Sequence, residues 1–241
     1  MQLDRADIEA LPERQRAAFI NCLSGYKSAN LVGTASGNGQ LNLAMVSSVV
    51  HLGANPPLLA FISRPPSVDR HTLEYLAETG YFTINHVHAG MVDAAHQTSA
   101  RYPAEVSEFD AVGLTPGFSD LHPAPYVMES HVRIGLRVRE RRPIELNGTV
   151  MVIGEIVEVQ LPGEALPEDG FVDLASHDTV TIGGLDGYYR VQPLYRLSYA
   201  KVNQPLRRLP VVDPLHPAGR QAGTEAGQQP GDGIPPGTHP G

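Results

Sequence analysis

The residues of this chain best equipped for binding chemistry are gathered in one stretch. Asn42, Ser47 and Ser48 lie among the apolar residues of Leu41 to Leu52, Ser63 and Arg64 close the apolar run Leu58 to Ile62, and Arg70 and Thr72 follow shortly after. Hydroxyls, an amide and two guanidinium groups beside an apolar surface suit a ligand with a flat apolar part and a phosphate. Guanidinium forks and hydroxyls donate to phosphate oxygens, while aliphatic side chains cover a ring. Flavin mononucleotide (FMN) is such a ligand, and the stretch reads as an FMN site. The pattern from Thr72 to Glu78 predicts a helix beginning near His71. Its free N–H groups and positive dipole end then lie beside Arg64 and Arg70, which favours a phosphate there. A single arginine is more commonly a solvated surface charge. Two arginines, several hydroxyls and a helix start within ten residues carry the phosphate reading.

The surrounding elements must hold these groups in place. Asp7 to Leu23 has the apolar spacing of a helix, with Asp7 able to cap it, Pro12 in its first turn and Gly25 ending it. Asn30 to Ser36 predicts a strand, and Gly37-Asn38-Gly39 a tight hairpin leading into a strand that holds Asn42 to Leu52. The Pro56-Pro57 pair after Asn55 turns the chain, since proline cannot continue a ladder. Gly80 stops the helix after Glu78, and Tyr81 to Asn85 follows as a strand. Met91 to Ala100 predicts a helix, and Pro103 with the acidic run near Glu105 a surface loop. Val127 to Val138 and Thr149 to Leu161 are long alternating segments joined through a turn at Asn147-Gly148. Strands in hairpin order, interrupted by helices, predict an antiparallel β-barrel of the α+β class with peripheral helices. From about Pro205 the chain becomes rich in Pro and Gly. The expected organisation is one domain over 1–204 and a disordered tail over 205–241.

Composition narrows the function classes. A chain of 241 residues with 41% apolar content can bury one substantial core. A net charge of −8 argues against nucleic acid as a partner. Cys22 is the only cysteine, which leaves no intrachain disulfide or cysteine-built metal site and suggests a reducing cytoplasm. No segment approaches the roughly 20 apolar residues of a membrane span. His86 and His88 would share a face of an extended segment, with His96 a third nitrogen donor, but no acidic or cysteine ligand clusters with them. Hydrogen bonding or groove lining is the favoured reading, and no metal is expected. Neither Ser47 nor Ser48 lies in a Gly-x-Ser-x-Gly elbow, and Gly37-Asn38-Gly39 lacks the third glycine of a dinucleotide fingerprint. Arg137, Arg139, Arg141 and Arg142 read as a solvated strand edge or interface, with contact to an NADPH adenosine phosphate as the less favoured role.

Several segments together carry a family resemblance. These are Asn42 to Ser48, Asn55-Pro56-Pro57, Arg70-His71-Thr72-Leu73, Glu105 to Phe109, Glu129-Ser130, Val152 to Ile156 and Gly183 to Tyr189. In order and spacing, from about Arg14 to Val202, the chain resembles the flavin reductase-like family of FMN-binding split-barrel proteins. The resemblance implies a six-stranded split barrel that forms a homodimer, with FMN in grooves at the interface. It implies that Asn42, Ala44, Met45, Val46, Ser47 and Ser48 run beside the isoalloxazine ring. Ser63, Arg64, Arg70 and Thr72 then hold the phosphate, with His71 beside them. The family often has Pro at Met45 and Lys-Asp-Thr at Arg70-His71-Thr72. Chemistry in such a site is hydride transfer from C4 of NADH or NADPH to flavin N5, with no obligatory catalytic side chain. His96 and Ser99 are expected on the nicotinamide side, and a monooxygenase is a partner that would receive reduced flavin. The alternative is an FMN-binding electron-transfer or carrier protein without its own NAD(P)H turnover. A split barrel holding heme, or no cofactor, is a third reading.

Overall fold

The computed structural model describes residues 1–65, 71–103, 105–163 and 166–209. Two helices, α1 (Arg5–Ala10) and α2 (Glu13–Leu23), precede β1 (Lys27–Ser28), β2 (Asn30–Ala35), β3 (Leu41–Val46), β4 (Val50–Ala54) and β5 (Pro57–Ser63). Helix α3 (His71–Thr79), β6 (Tyr81–His86), a 3-10 turn at Ala89–Met91, α4 (Val92–Gln97) and α5 (Glu108–Val112) follow. The strands β7 (Pro116–Ser119), β8 (His122–Val127), β9 (Arg133–Ile144) and β10 (Thr149–Gln160) come next. The last are β11 (Val180–Gly183), β12 (Gly187–Arg190), β13 (Arg196–Leu197) and β14 (Arg208–Leu209). Among the described residues no helix is long and apolar enough to cross a membrane.

The main sheet has the order β3-β2-β6-β9-β10-β5-β4 and does not close, which makes the fold a split barrel. Its pairs are antiparallel throughout. Strand β2 is buried at every position because both of its faces are covered. Successive side chains on a strand point to opposite faces. Leu31 therefore packs with Leu43, Phe109 and Val127, while Val32 packs with Phe61, Phe82 and Leu136. The rings of Phe61 and Phe82 meet edge to face at 5.5 Å. Gly154 gives Phe82 its room, since a Cβ there would lie 2.5 Å from Phe82 Cζ.

Strand β3 ends the sheet on one side, and its outward Leu43 N–H would lack a ladder partner. Glu108 at the start of α5 supplies one: its Oε2 accepts that N–H at 2.9 Å. This bond pins α5, and the segment before it, along the β3 edge. Burial pushes the Glu108 carboxyl above its ordinary value, opposed by its bond to Leu43 N–H and by nearby His71.

Where continuous elements are expected, the structure breaks several of them. The helix expected over Asp7 to Leu23 is two, because Pro12 forces Leu11 into an extended conformation (φ −62°, ψ 140°). Its cap is Asp4, which accepts from Asp7 N, with Asp7 returning a bond to Asp4 N. The strand expected over Asn42 to Leu52 is split at Ser47–Val49, and among the described residues the main sheet therefore has seven strands rather than six. Val127 to Val138 is split too: Met128–Val132 turns between β8 and β9, where Ser130 Oγ donates to His86 O at 2.9 Å. The helix expected over Met91 to Ala100 ends at Gln97, where Thr98 Oγ1 donates back to Ala95 O. The two hairpin turns sit as expected, with Gly39 at φ +87° and Gly148 at φ +72°. Arg208 and Leu209 pair with Leu197 and Arg196, so regular pairing continues past the boundary expected at 205. The rest of the expected tail, 210–241, lies outside the described residues.

Candidate functional site

Strands β3 and β5 lie toward opposite ends of the sheet order and approach each other at the split. A groove of about 530 Å³ opens there, within the range of small-molecule sites. Its lining comes from β3 and the turn after it, the end of β5, the start of α3, and residues 98–103 between α4 and α5. The break at Ser47–Val49 is what shapes it. Ser48 Oγ accepts from Ile62 N and donates to Ile62 O, both at 3.0 Å, so the chain leaving β3 is tied to β5.

Of the residues expected at the site, Asn42, Ala44, Met45, Val46, Ser47, Ser48, Ser63, Arg64, His71, Thr72 and Ser99 all line this groove. Arg70 lies outside the described residues. His96 is absent from the lining; its Nδ1 lies 2.9 Å from Tyr188 OH, which joins α4 to the β11–β12 hairpin. Leu185 at the tip of that hairpin does line the groove, so His96 bears on the site indirectly.

The structure refines the other roles. Asn42 is buried, and its Nδ2 donates to Thr34 Oγ1 at 3.0 Å and to Thr72 Oγ1 at 2.9 Å. It therefore orients Thr72, leaving the Thr72 hydroxyl proton free to donate. Ser48 is engaged by Ile62, whereas the Ser47 hydroxyl and the Arg64 guanidinium make no hydrogen bond or ion pair among the described residues; the Arg64 carbonyl accepts from Ser63 Oγ at 3.4 Å. His71 stacks on Tyr75 at 6.0 Å. Ala44, Met45 and Val46 are half-buried and form the apolar part. Reading from sequence missed Glu108, Arg101, Tyr102, Leu185 and Asn21 in the lining. They reach the groove through tertiary contacts, and only Glu108 and Leu185 carried a signal, as parts of the Glu105 to Phe109 and Gly183 to Tyr189 segments.

The remaining polar clusters lie elsewhere. Arg137 and Arg139 both reach Glu155, at 3.2 and 3.5 Å, and Arg142 reaches Glu140 at 2.8 Å. Only Arg141 of that group lacks an ion pair among the described residues. His88 stacks on His131 at 4.5 Å, with Nδ1 accepting from Gly90 N and Nε2 facing Glu129 O. Burial lowers the His86 pKa to about 4, and its Nδ1 has no hydrogen-bond partner among the described residues. Among the described residues no group of three or more His, Cys, Asp or Glu is placed to hold a metal ion.

The open sheet and the groove at its seam define a split-barrel protein with a site for a small ligand. A family model described as flavin reductase like domain matches residues 23–179, and the chain belongs to that family, whose chemistry is flavin-linked oxidation and reduction. An uncharacterised protein of Halalkalibacterium halodurans is 30% identical over 148 residues, 59% of this chain and 70% of that protein. A Shewanella frigidimarina structure, assigned as a flavin reductase with split barrel domain, is 51% identical with a TM-score of 0.80, covering 83% of this chain and 100% of its own. Nitrilotriacetate monooxygenase component B from Bacillus cereus shares the fold. It is 21% identical with a TM-score of 0.71, covering 82% of this chain and 98% of its own.

Proposed function

We propose that the protein is an FMN-dependent flavin reductase that accepts hydride from NADH or NADPH. The observation that carries this reading is the groove itself, where the half-buried residues Ala44, Met45 and Val46 adjoin Ser63, Arg64, Thr72 and the start of α3. That donor set fits FMN: the apolar strand suits the ring, and the hydroxyls, guanidinium and helix N–H groups suit the phosphate. Arg70 is proposed to join the phosphate group from the adjoining segment. When bound, FMN supplies an N5 that accepts hydride from nicotinamide C4. The chain's own residues bind and orient. Asn42 holds Thr72 toward the phosphate, Ser48 holds the turn after β3 against β5, and Ser47 offers a hydroxyl to the ring edge. No side chain of the groove is assigned as an acid or base.

The reading extends to assembly and setting. Val50 and Leu52 on the end strand β4 are about half exposed, at 50% and 46%, and supply apolar surface that a second copy would cover in a homodimer. The fold shared with nitrilotriacetate monooxygenase component B makes a monooxygenase a fitting recipient of reduced flavin. The setting proposed is the cytoplasm.

The test is anaerobic mixing of FMN-loaded protein with NADH or NADPH while flavin absorbance is followed. Rapid bleaching by either donor is expected, and the faster donor gives the preference. Stoichiometric FMN that neither donor bleaches would point to a carrier instead. Failure to retain FMN would remove the phosphate site built from Ser63, Arg64 and Thr72.

A further inference from the structure

Arg101 lines the groove, yet FMN binding gives it no task. It is exposed and makes no ion pair or hydrogen bond among the described residues. Its segment is fixed from both sides. Before it, His96 at the end of α4 meets Tyr188; after it, Glu108 at the start of α5 holds Leu43 N–H. Residues 98–103 are thereby held between two anchored helices where they line the groove, whereas Arg64 leaves from the end of β5. Two arginines whose guanidinium groups make no hydrogen bond or ion pair among the described residues thus line one groove, one from the end of β5 and one from the segment between α4 and α5.

Charge matching makes the second one informative. Among the described residues Glu108 is the only carboxylate in the lining, and it is committed to Leu43 N–H. Several arginines elsewhere are matched, Arg137 and Arg139 to Glu155, Arg142 to Glu140, and Arg196 to Asp169, and those without an ion pair, such as Arg141, lie outside this groove. A single mononucleotide phosphate beside Ser63, Arg64 and Thr72 leaves Arg101 without an anion. A guanidinium suits phosphate because its planar fork donates two parallel bonds.

Resting on the flavin reductase reading, we infer that Arg101 recognises the phosphates of the nicotinamide dinucleotide, a second anion position in the groove separate from the FMN phosphate. Arg101 is then the residue that sets affinity for the hydride donor without holding the flavin.

The experiment is calorimetric titration of FMN-loaded protein with NADP+ and with NAD+, beside titration of flavin-free protein with FMN. It is run on the parent, Arg101→Gln, Arg101→Lys and Arg64→Gln. Arg101→Gln is expected to weaken NADP+ by about tenfold while FMN affinity stays within about twofold, with Arg101→Lys recovering part of the loss. Arg64→Gln is expected to weaken FMN. Loss for NADP+ alone assigns Arg101 to the 2′-phosphate; equal loss for both dinucleotides assigns it to the pyrophosphate. Unchanged binding of both, or FMN affinity falling as far as in Arg64→Gln, overturns the assignment. A parent that holds FMN but binds neither dinucleotide also overturns it while FMN binding stands. A parent that cannot hold FMN overturns both readings.

Discussion

Asn42 and Ser48 were both legible as polar residues inside an apolar stretch, but their partners were not. Asn42 donates to Thr72 across 30 residues of chain, and Ser48 bonds both backbone groups of Ile62 across 14. Neither contact leaves a local pattern, so both side chains read as direct ligand contacts. The structure separates them by what each deletion should do. Asn42→Ala frees the Thr72 hydroxyl from its anchor. It is expected to weaken FMN several-fold with a modest loss of stability, read by flavin fluorescence quenching and thermal melting. Ser48→Ala leaves the Ile62 N–H and C=O without that partner, and should cost about 1–3 kcal/mol in urea unfolding. Reversed outcomes, with Asn42 governing stability and Ser48 governing FMN affinity, would contradict these assignments. Thr72, Ser63 and Arg64 were legible as groove residues because hydroxyls and a guanidinium next to an apolar run stand out in the sequence itself. Arg101 was not, since an arginine in a loop has no signature until the fold brings it to the groove.

At the scale of elements, strand content and hairpin turns were readable from alternation and glycine, while the breaks were set by distant partners. Pro12 was the exception: its effect on Leu11 is local, and the two-helix outcome follows from the residue alone. The breaks at Ser47–Val49 and Met128–Val132 depend instead on Ile62 and His86. The same dependence joins α4 to the β11–β12 hairpin through His96 and Tyr188. Two elements with groove residues, the 98–103 segment and Leu185, are clasped by that bond. Tyr188→Phe keeps the ring packing and removes the hydroxyl. Its expected result is faster amide exchange over residues 98–103, with global stability lowered by only about 1 kcal/mol. Exchange rates unchanged there would show that the clasp does not restrain the groove wall.

Across the whole molecule, stability in mild acid is tied to histidines that the fold keeps neutral. Burial lowers the His86 pKa to about 4 from 6.5, and burial also lowers His88 and His122. The unfolded chain takes up the His86 proton near pH 6.5 and the native one only near pH 4. Between those values the unfolded state binds more protons, so native stability falls as pH falls. At about 1.4 kcal/mol per pH unit, His86 alone accounts for at most about 3.5 kcal/mol over that window. Glu108 works in the opposite sense, because its raised pKa makes the native state hold a proton more tightly, which favours the fold as pH falls. Comparing His86→Leu with the parent at each pH cancels the Glu108 contribution and isolates the imidazole. The difference in unfolding free energy between variant and parent should shift in favour of His86→Leu as pH drops from 7 to 4, whatever its value at pH 7. A difference that stays flat across the window would mean that His86 titrates normally in the native state, and that its Nδ1 is open to water at the end of β6.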